Sequence, residues 1–240
     1  MNAFVLAAGF GKRMGSLTEN CPKPLLKIQD ITLLDYSLYL LDLWKVSNVL
    51  VNTHYLGDQI KNHLKRFKKF PITILEEKNE ILGTAGGIRT GLSDKYFEEP
   101  ILLINPDTLF FPDQSFKPKT ELKDHTKIHL YLLPAPPNQS YTKIGIDENG
   151  KLTFGNGGYY YIGLAILNPK CLSHLEKNNY HDLSDIFKEC AERGEITGEI
   201  FSGRVLDLGT KDLWEAYVKT DIFGAEISKI QVFLKSSYMA

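Results

Sequence analysis

The chain opens on an apolar run that stops abruptly at glycine. Ala3 to Ala8 lead straight into Gly9-Phe10-Gly11-Lys12-Arg13-Met14. A short, continuously apolar segment bounded by glycine has the composition of a strand buried on both faces, as in a parallel sheet. A glycine turn at the end of such a strand leaves backbone N–H groups open, with no Cβ in the way. Lys12 and Arg13 bring cations to that turn, and Lys23 follows on a loop stiffened by Pro22 and Pro24. Close N–H donors with converging positive charge are what a nucleoside triphosphate needs from a protein.

The first half alternates two kinds of segment. Strand-like runs are Phe4–Ala8, Asn48–Asn52, Pro71–Leu75 and Ile101–Asn105. Between them, Leu33–Trp44 places Leu34, Leu38, Leu41 and Trp44 at helical spacing, with Asp35 and Asp42 on the opposite side. Leu56–Phe67 puts Ile60, Leu64 and Phe67 on one helical stripe, and Thr84–Leu92 reads as a helix entered through glycine. Repeated βαβ units predict an α/β fold with a mostly parallel sheet and ligand sites beyond the carboxyl ends of its strands. Gly9 and Asp107 fall at such ends.

After Phe110 the pattern changes. Ile128–Leu133, Lys143–Ile146, Lys151–Phe154 and Tyr159–Leu167 are strand-like and separated by turn residues such as Asn149-Gly150 and Gly155-Asn156-Gly157-Gly158. They predict β-rich extensions that build the acceptor side of the molecule. Helical segments near Pro169–Leu175 and Leu183–Arg193 follow, then a strand at Arg204–Asp207 and a helix at Lys211–Tyr217. The expected organisation is one domain over 1–240. Residues 1–110 form its nucleotide-binding half, 111–220 the half on the acceptor side and 221–240 a tail that covers a surface or makes an interface, homo-oligomers included.

Composition narrows the function classes. An apolar fraction of 43% and a charged fraction of 24% over 240 residues are those of an ordinary globular protein. A net charge of −1 gives no pull toward nucleic acid or an anionic membrane, so phosphate binding must be local. Cys21, Cys171 and Cys190 make neither a disulfide framework nor a metal motif and fit a reducing compartment. The N-terminus lacks the basic start of a signal peptide, and Asp35 and Asp42 break the Ile31–Trp44 region far short of a membrane span. The cytoplasm is the expected location. The histidines show no zinc spacing.

A dinucleotide fold is the tempting misreading of Gly9-x-Gly11. The next glycine, Gly15, comes one residue late for that fingerprint, and Lys12 and Arg13 intervene. The acidic residue that would hold a ribose after the second strand is replaced by Asn52-Thr53-His54. A Walker loop spacing is absent as well.

Leu6-x-x-Gly9-x-Gly11-x-Arg13-Met14 with Pro22-Lys23-Pro24-Leu25 resembles the signature of the sugar-1-phosphate nucleotidyltransferases. The resemblance continues through Leu82–Gly87, Asn105-Pro106-Asp107 and Asp207-Leu208-Gly209-Thr210. It is nearest to the short members, the muramate-type uridylyltransferases and the mannose- or heptose-type guanylyltransferases. It implies a Rossmann-like fold with a mostly parallel mixed sheet, and transfer of a nucleotidyl group from GTP or UTP to a sugar 1-phosphate. It further implies that Leu6, Ala7, Ala8, Gly9, Gly11, Glu76, Gly83, Thr84 and Asn105 contact the nucleotide, and that Tyr161 and Gly163 shape the sugar pocket.

The chemistry supports the charged positions independently. Transfer at phosphorus needs positioning and charge neutralisation more than covalent help. Arg13 can grip the β and γ oxygens in a fork, and Lys23 is a compact charge for the α-phosphate. Asp107 and Asp207, brought together, would hold Mg²⁺, which takes its remaining ligands from water and phosphates. Two departures stand out. The family's Asn-Gly-Asp is here Asn105-Pro106-Asp107, and proline removes an N–H and could re-aim the aspartate. The Glu-Lys-Pro of longer members is replaced by Gly155-Asn156-Gly157-Gly158. A phosphocholine-type cytidylyltransferase and an inactive nucleotide-binding sensor are the alternative readings.

Overall fold

The N-terminal run becomes β1 (Asn2–Leu6), whose Ala3, Phe4 and Val5 are fully buried. After it come β2 (Lys27–Ile28), β3 (Ile31–Thr32), α1 (Leu33–Leu43), β4 (Asn48–Thr53), α2 (Gly57–Leu64), β5 (Ile72–Glu76), α3 (Gly83–Gly91), β6 (Ile101–Ile104) and β7 (Thr108–Pro112). The rest of the chain forms β8 (Ile128–Pro134), β9 (Ile144–Ile146), β10 (Leu152–Phe154), β11 (Tyr159–Leu167), α4 (Leu183–Glu192), β12 (Ile196–Ile200), β13 (Gly203–Asp207), α5 (Lys211–Tyr217) and α6 (Glu226–Tyr238). The structure is a computed structural model and describes residues 1–92, 99–123, 125–137 and 141–238. The chain divides into two compact units. Unit 1 comprises Met1–Ile81, Asn105–Phe110 and Val205–Ala240; unit 2 comprises Leu82–Ile104 and Phe111–Arg204.

Unit 1 is built on parallel strands. β4 pairs with β1 on one side (Phe4 opposite Leu50) and with β5 on the other (Val51 opposite Ile74). α1 starts where Thr32 caps it, its hydroxyl accepting from the Asp35 N–H at 3.0 Å. The two-sided helix expected over Leu33–Trp44 is buried on nearly every face from Leu33 to Leu41, Asp35 included. The reason is α6. Phe233 packs edge-on against Tyr39 with ring centroids 5.7 Å apart, and the Tyr238 hydroxyl donates to Asp35 at 2.5 Å. His63 from α2 completes that cluster, with Nε2 2.9 Å from the same Asp35 oxygen.

Unit 2 centres on β11. It runs antiparallel to β6 (Leu164 opposite Ile104) and to β8 (Tyr160 opposite Leu133), with a break in register between Tyr161 and Ala165. Gly163 lies in that break at φ +85°, a conformation that favours glycine at a bulge. β9 pairs antiparallel with β10, and β12 runs parallel to β8. β12 was not anticipated from the sequence, because Gly198 interrupts its apolar pattern. The glycine is needed there: a Cβ would lie 3.0 Å from the Leu130 carbonyl oxygen. Among the described residues no helix is long and apolar enough to cross a membrane.

Candidate active site

β1 ends at Leu6, short of the expected Ala8, because the backbone there changes partners. The Ala7 N–H donates to Asn52 Oδ1 at 2.8 Å instead of continuing a strand ladder. Ala7 and Ala8 are buried, whereas Gly9 is exposed and nothing lies within 4 Å of the place a Cβ would occupy. Gly11 is different. It sits at φ +64°, and a Cβ would meet Thr18 Cγ2 at 3.0 Å and Lys23 Cβ at 3.3 Å. Its carbonyl accepts from the Met14 N–H at 2.8 Å and from the Thr18 hydroxyl at 3.1 Å. Conformation and crowding thus require glycine at 11, and open space permits it at 9.

The charged groups of unit 1 meet beyond this turn. Lys23 is buried, and its ammonium donates to Asp107 Oδ2 at 2.5 Å. Pro106 precedes that carboxylate in a tight turn. The Thr108 N–H returns to the Asn105 carbonyl at 3.3 Å, closing a turn in which Pro106 takes the second position, one that proline favours. The Asp107 carbonyl accepts from the Leu208 N–H at 3.0 Å and so ties the end of β13 to the same place. One residue earlier, Asp207 Oδ1 accepts from the Gly209 N–H at 2.7 Å. A Cβ on Gly209 would lie 2.7 Å from that oxygen and 3.5 Å from Arg13 Nη2, so the exposed guanidinium reaches the Asp207–Gly209 turn. Arg13, Lys23, Asp107 and Asp207, far apart in sequence, therefore cluster beside Gly11. Asn105 is half-buried at the start of the turn, and Leu6 is half-buried opposite Asn52.

Residues 3–121 match the MobA-like NTP transferase domain. The chain is similar to nucleotidyltransferases. It is similar to the N-acetylmuramate alpha-1-phosphate uridylyltransferase of Neisseria meningitidis serogroup B, at 28% identity over 88% of this chain and 94% of that protein. The D-glycero-alpha-D-manno-heptose 1-phosphate guanylyltransferase of Aneurinibacillus thermoaerophilus is 28% identical over the same shares. In fold, a solved structure of UDP-glucose pyrophosphorylase bound to UDP-glucose matches with a TM-score of 0.69 at 19% identity, covering 98% of each chain.

The remaining expected site residues have other neighbours. Glu76 is exposed, and its carboxylate accepts from Lys61 of α2 at 2.7 Å. Its neighbour Glu77, which the sequence reading passed over, is the buried one. In unit 2, Gly83 and Gly86 serve close packing. A Cβ on them would lie 2.5 Å from the His181 carbonyl oxygen and 2.3 Å from that of Asn179. The Thr84 hydroxyl is occupied by the Leu183 N–H at 2.9 Å. These contacts bind α3 to the Asn179–Leu183 segment. The Tyr161 ring stands edge-on to Phe187 at 5.3 Å, and its hydroxyl is buried without a hydrogen-bond partner among the described residues. Burial raises the pKa of that phenol.

Proposed function

We propose that the protein transfers a nucleotidyl group from GTP or UTP to a sugar 1-phosphate, giving an NDP-sugar and pyrophosphate. The observation that carries this reading is the cluster of Arg13, Lys23, Asp107 and Asp207 beside the open glycine turn. A phosphate oxygen of the acceptor attacks the α-phosphorus, the α–β anhydride bond breaks, and pyrophosphate leaves. Lys23, fixed by Asp107 on its proline-flanked loop, is assigned to the α-phosphate, where charge builds in the transition state. Arg13 is assigned to the β and γ oxygens, which its planar fork matches. The N–H groups around Gly9 are assigned to the nucleotide. Tyr161 and Gly163 of unit 2 are assigned to the sugar, a role supported by the Tyr161 hydroxyl, which has no hydrogen-bond partner among the described residues.

A magnesium ion fits the donor set. Mg²⁺ keeps several waters and takes phosphate oxygens, so it needs only one or two protein carboxylates. Asp107 and Asp207 supply that number. These two aspartates would hold the ion, whose chemistry is to neutralise charge on the phosphates. Cys21, Cys171 and Cys190 are all unbridged, which supports a cytoplasmic setting.

Pyrophosphate release, followed across four nucleoside triphosphates and a panel of sugar 1-phosphates with phosphocholine included, tests the reading and assigns base and acceptor. Turnover should require one such pair, stop with EDTA and resume with Mg²⁺. Asp107→Asn, which discharges the partner of Lys23, should lower kcat by about 10²–10³-fold. Tight triphosphate binding with no pyrophosphate from any pair would make the protein a nucleotide sensor.

A further inference from the structure

At the end of β4, where a dinucleotide fold carries an acid, this chain carries Asn52, buried and hydrogen-bonded at both ends of its amide. Oδ1 accepts the Ala7 N–H at 2.8 Å, and Nδ2 donates to Glu77 Oε1 at 2.8 Å. Glu77 is itself buried and fixed through its backbone. Its N–H donates to the Thr53 carbonyl at 2.9 Å, and its carbonyl faces His54 Nδ1 at 2.7 Å. The chain thus runs from β5 through β4 to the first residue of the glycine turn. The Tyr55 N–H reaches the Ala8 carbonyl at 3.4 Å, and Phe10 packs against the His54 and Tyr55 rings.

An asparagine amide can present either end to a neighbour, and only its oxygen can satisfy the Ala7 N–H. Glu77 decides which end points where. With an acceptor at Glu77, Nδ2 is drawn to it and Oδ1 is left for Ala7. Without one, the amide can flip and set a donor against a donor at the root of the turn. We infer that the Asn52–Glu77 pair is a positioning device that holds Ala7–Gly9 in the shape that binds the nucleotide. It sets affinity for the triphosphate and not for the sugar phosphate. This inference rests on the functional reading above, because it takes the glycine turn as the nucleotide site.

Exchanging the polarity of the pair tests it. Asn52→Asp keeps an acceptor for Ala7 but sets its second oxygen against the Glu77 carboxylate. Triphosphate affinity should then fall by about tenfold, the worth of one buried hydrogen bond. Glu77→Gln can present either end of its amide to Asn52 and no longer dictates which way the Asn52 amide points, so triphosphate affinity should fall by about twofold to threefold. Combining Asn52→Asp with Glu77→Gln places an amide donor opposite the new carboxylate. It should recover affinity to within about threefold of the parent, as coupled neighbours do. Calorimetric binding of GTP and UTP reads the effect directly. Steady-state kinetics should show it in KM for the triphosphate, with KM for the sugar phosphate unchanged.

Equal loss in the Asn52→Asp single and the double variant would overturn the inference, as would a change confined to thermal stability. A parent protein that binds triphosphate yet makes no pyrophosphate would overturn the functional reading alone, since binding still reports on the pair. A parent that binds no triphosphate would overturn both.

Discussion

Two glycines in one turn do different work, and methyl groups added to each separate stability from function. At Gly11 a Cβ would be forced into a left-handed backbone, 3.0 Å from Thr18 and 3.3 Å from Lys23. Gly11→Ala should therefore cost about 1–2 kcal/mol in unfolding free energy and also disturb Lys23, raising KM for the triphosphate. At Gly9 there is room, so Gly9→Ala should leave the melting temperature unchanged and weaken only nucleotide binding. Thermal unfolding beside steady-state kinetics checks both, and a destabilised Gly9→Ala protein would contradict the assignment of open space there. At this scale the sequence disclosed the residues whose chemistry is local: the glycines, Arg13 and the proline-braced Lys23. It did not disclose Asn52, because an asparagine ending a strand reads as a polar edge until its partner, 45 positions away, is brought beside it. Glu76 ends β5 and Glu77 follows it, one exposed and the other buried, and alternation along an isolated strand does not tell inside from outside.

Among elements, α6 shows how a covering helix changes the reading of the helix it covers. Leu33–Leu43 has the spacing of a helix with one apolar face, yet Asp35 is buried, held by His63, Tyr238 and the cap at Thr32. The boundaries of α1, α2, β11 and α5 were close to those periodicity predicts, because each carries its own apolar stripe or turn signal. The second face of α1 was illegible because its complement comes from the far end of the chain. Tyr238→Phe keeps the ring contacts with Phe67 and removes only the hydroxyl that donates to Asp35. It should lower unfolding free energy by about 1–2 kcal/mol without changing catalysis, since Asp35 keeps its other donors. Urea unfolding measures this, and an unchanged midpoint would show that packing alone holds α6. The same logic applies to α3. Its glycine run was legible as a special backbone, but whether a ligand or a neighbouring segment comes close depends on Asn179 and His181, far along the chain.

For the molecule as a whole, each unit holds acidic side chains whose charged forms the fold favours. In unit 1, burial pushes the Asp35 carboxyl up, but hydrogen bonds from His63, Tyr238 and Thr32 outweigh it and hold the pKa below the ordinary 3.8. Glu226 is likewise held down, first by Lys229. In unit 2, His129 and then Lys119 lower Glu199 from 4.5 to about 2. A carboxylate whose folded pKa lies below its unfolded value contributes stability above the unfolded value and loses it as pH falls toward the folded one. Both units should therefore weaken together below about pH 4.5 and gain little from pH 5 to 8 on account of these groups. The Glu199 side chain is 39% exposed, so solvent screening leaves its share on the order of 1 kcal/mol. Melting temperature followed from pH 7 to pH 3 should decline in the acid limb. Glu199→Gln should lower the plateau and flatten that limb, because the amide has no charge to lose. A variant whose acid limb stays as steep as the parent's would move the acid sensitivity to unit 1, where Asp35→Asn is the corresponding substitution.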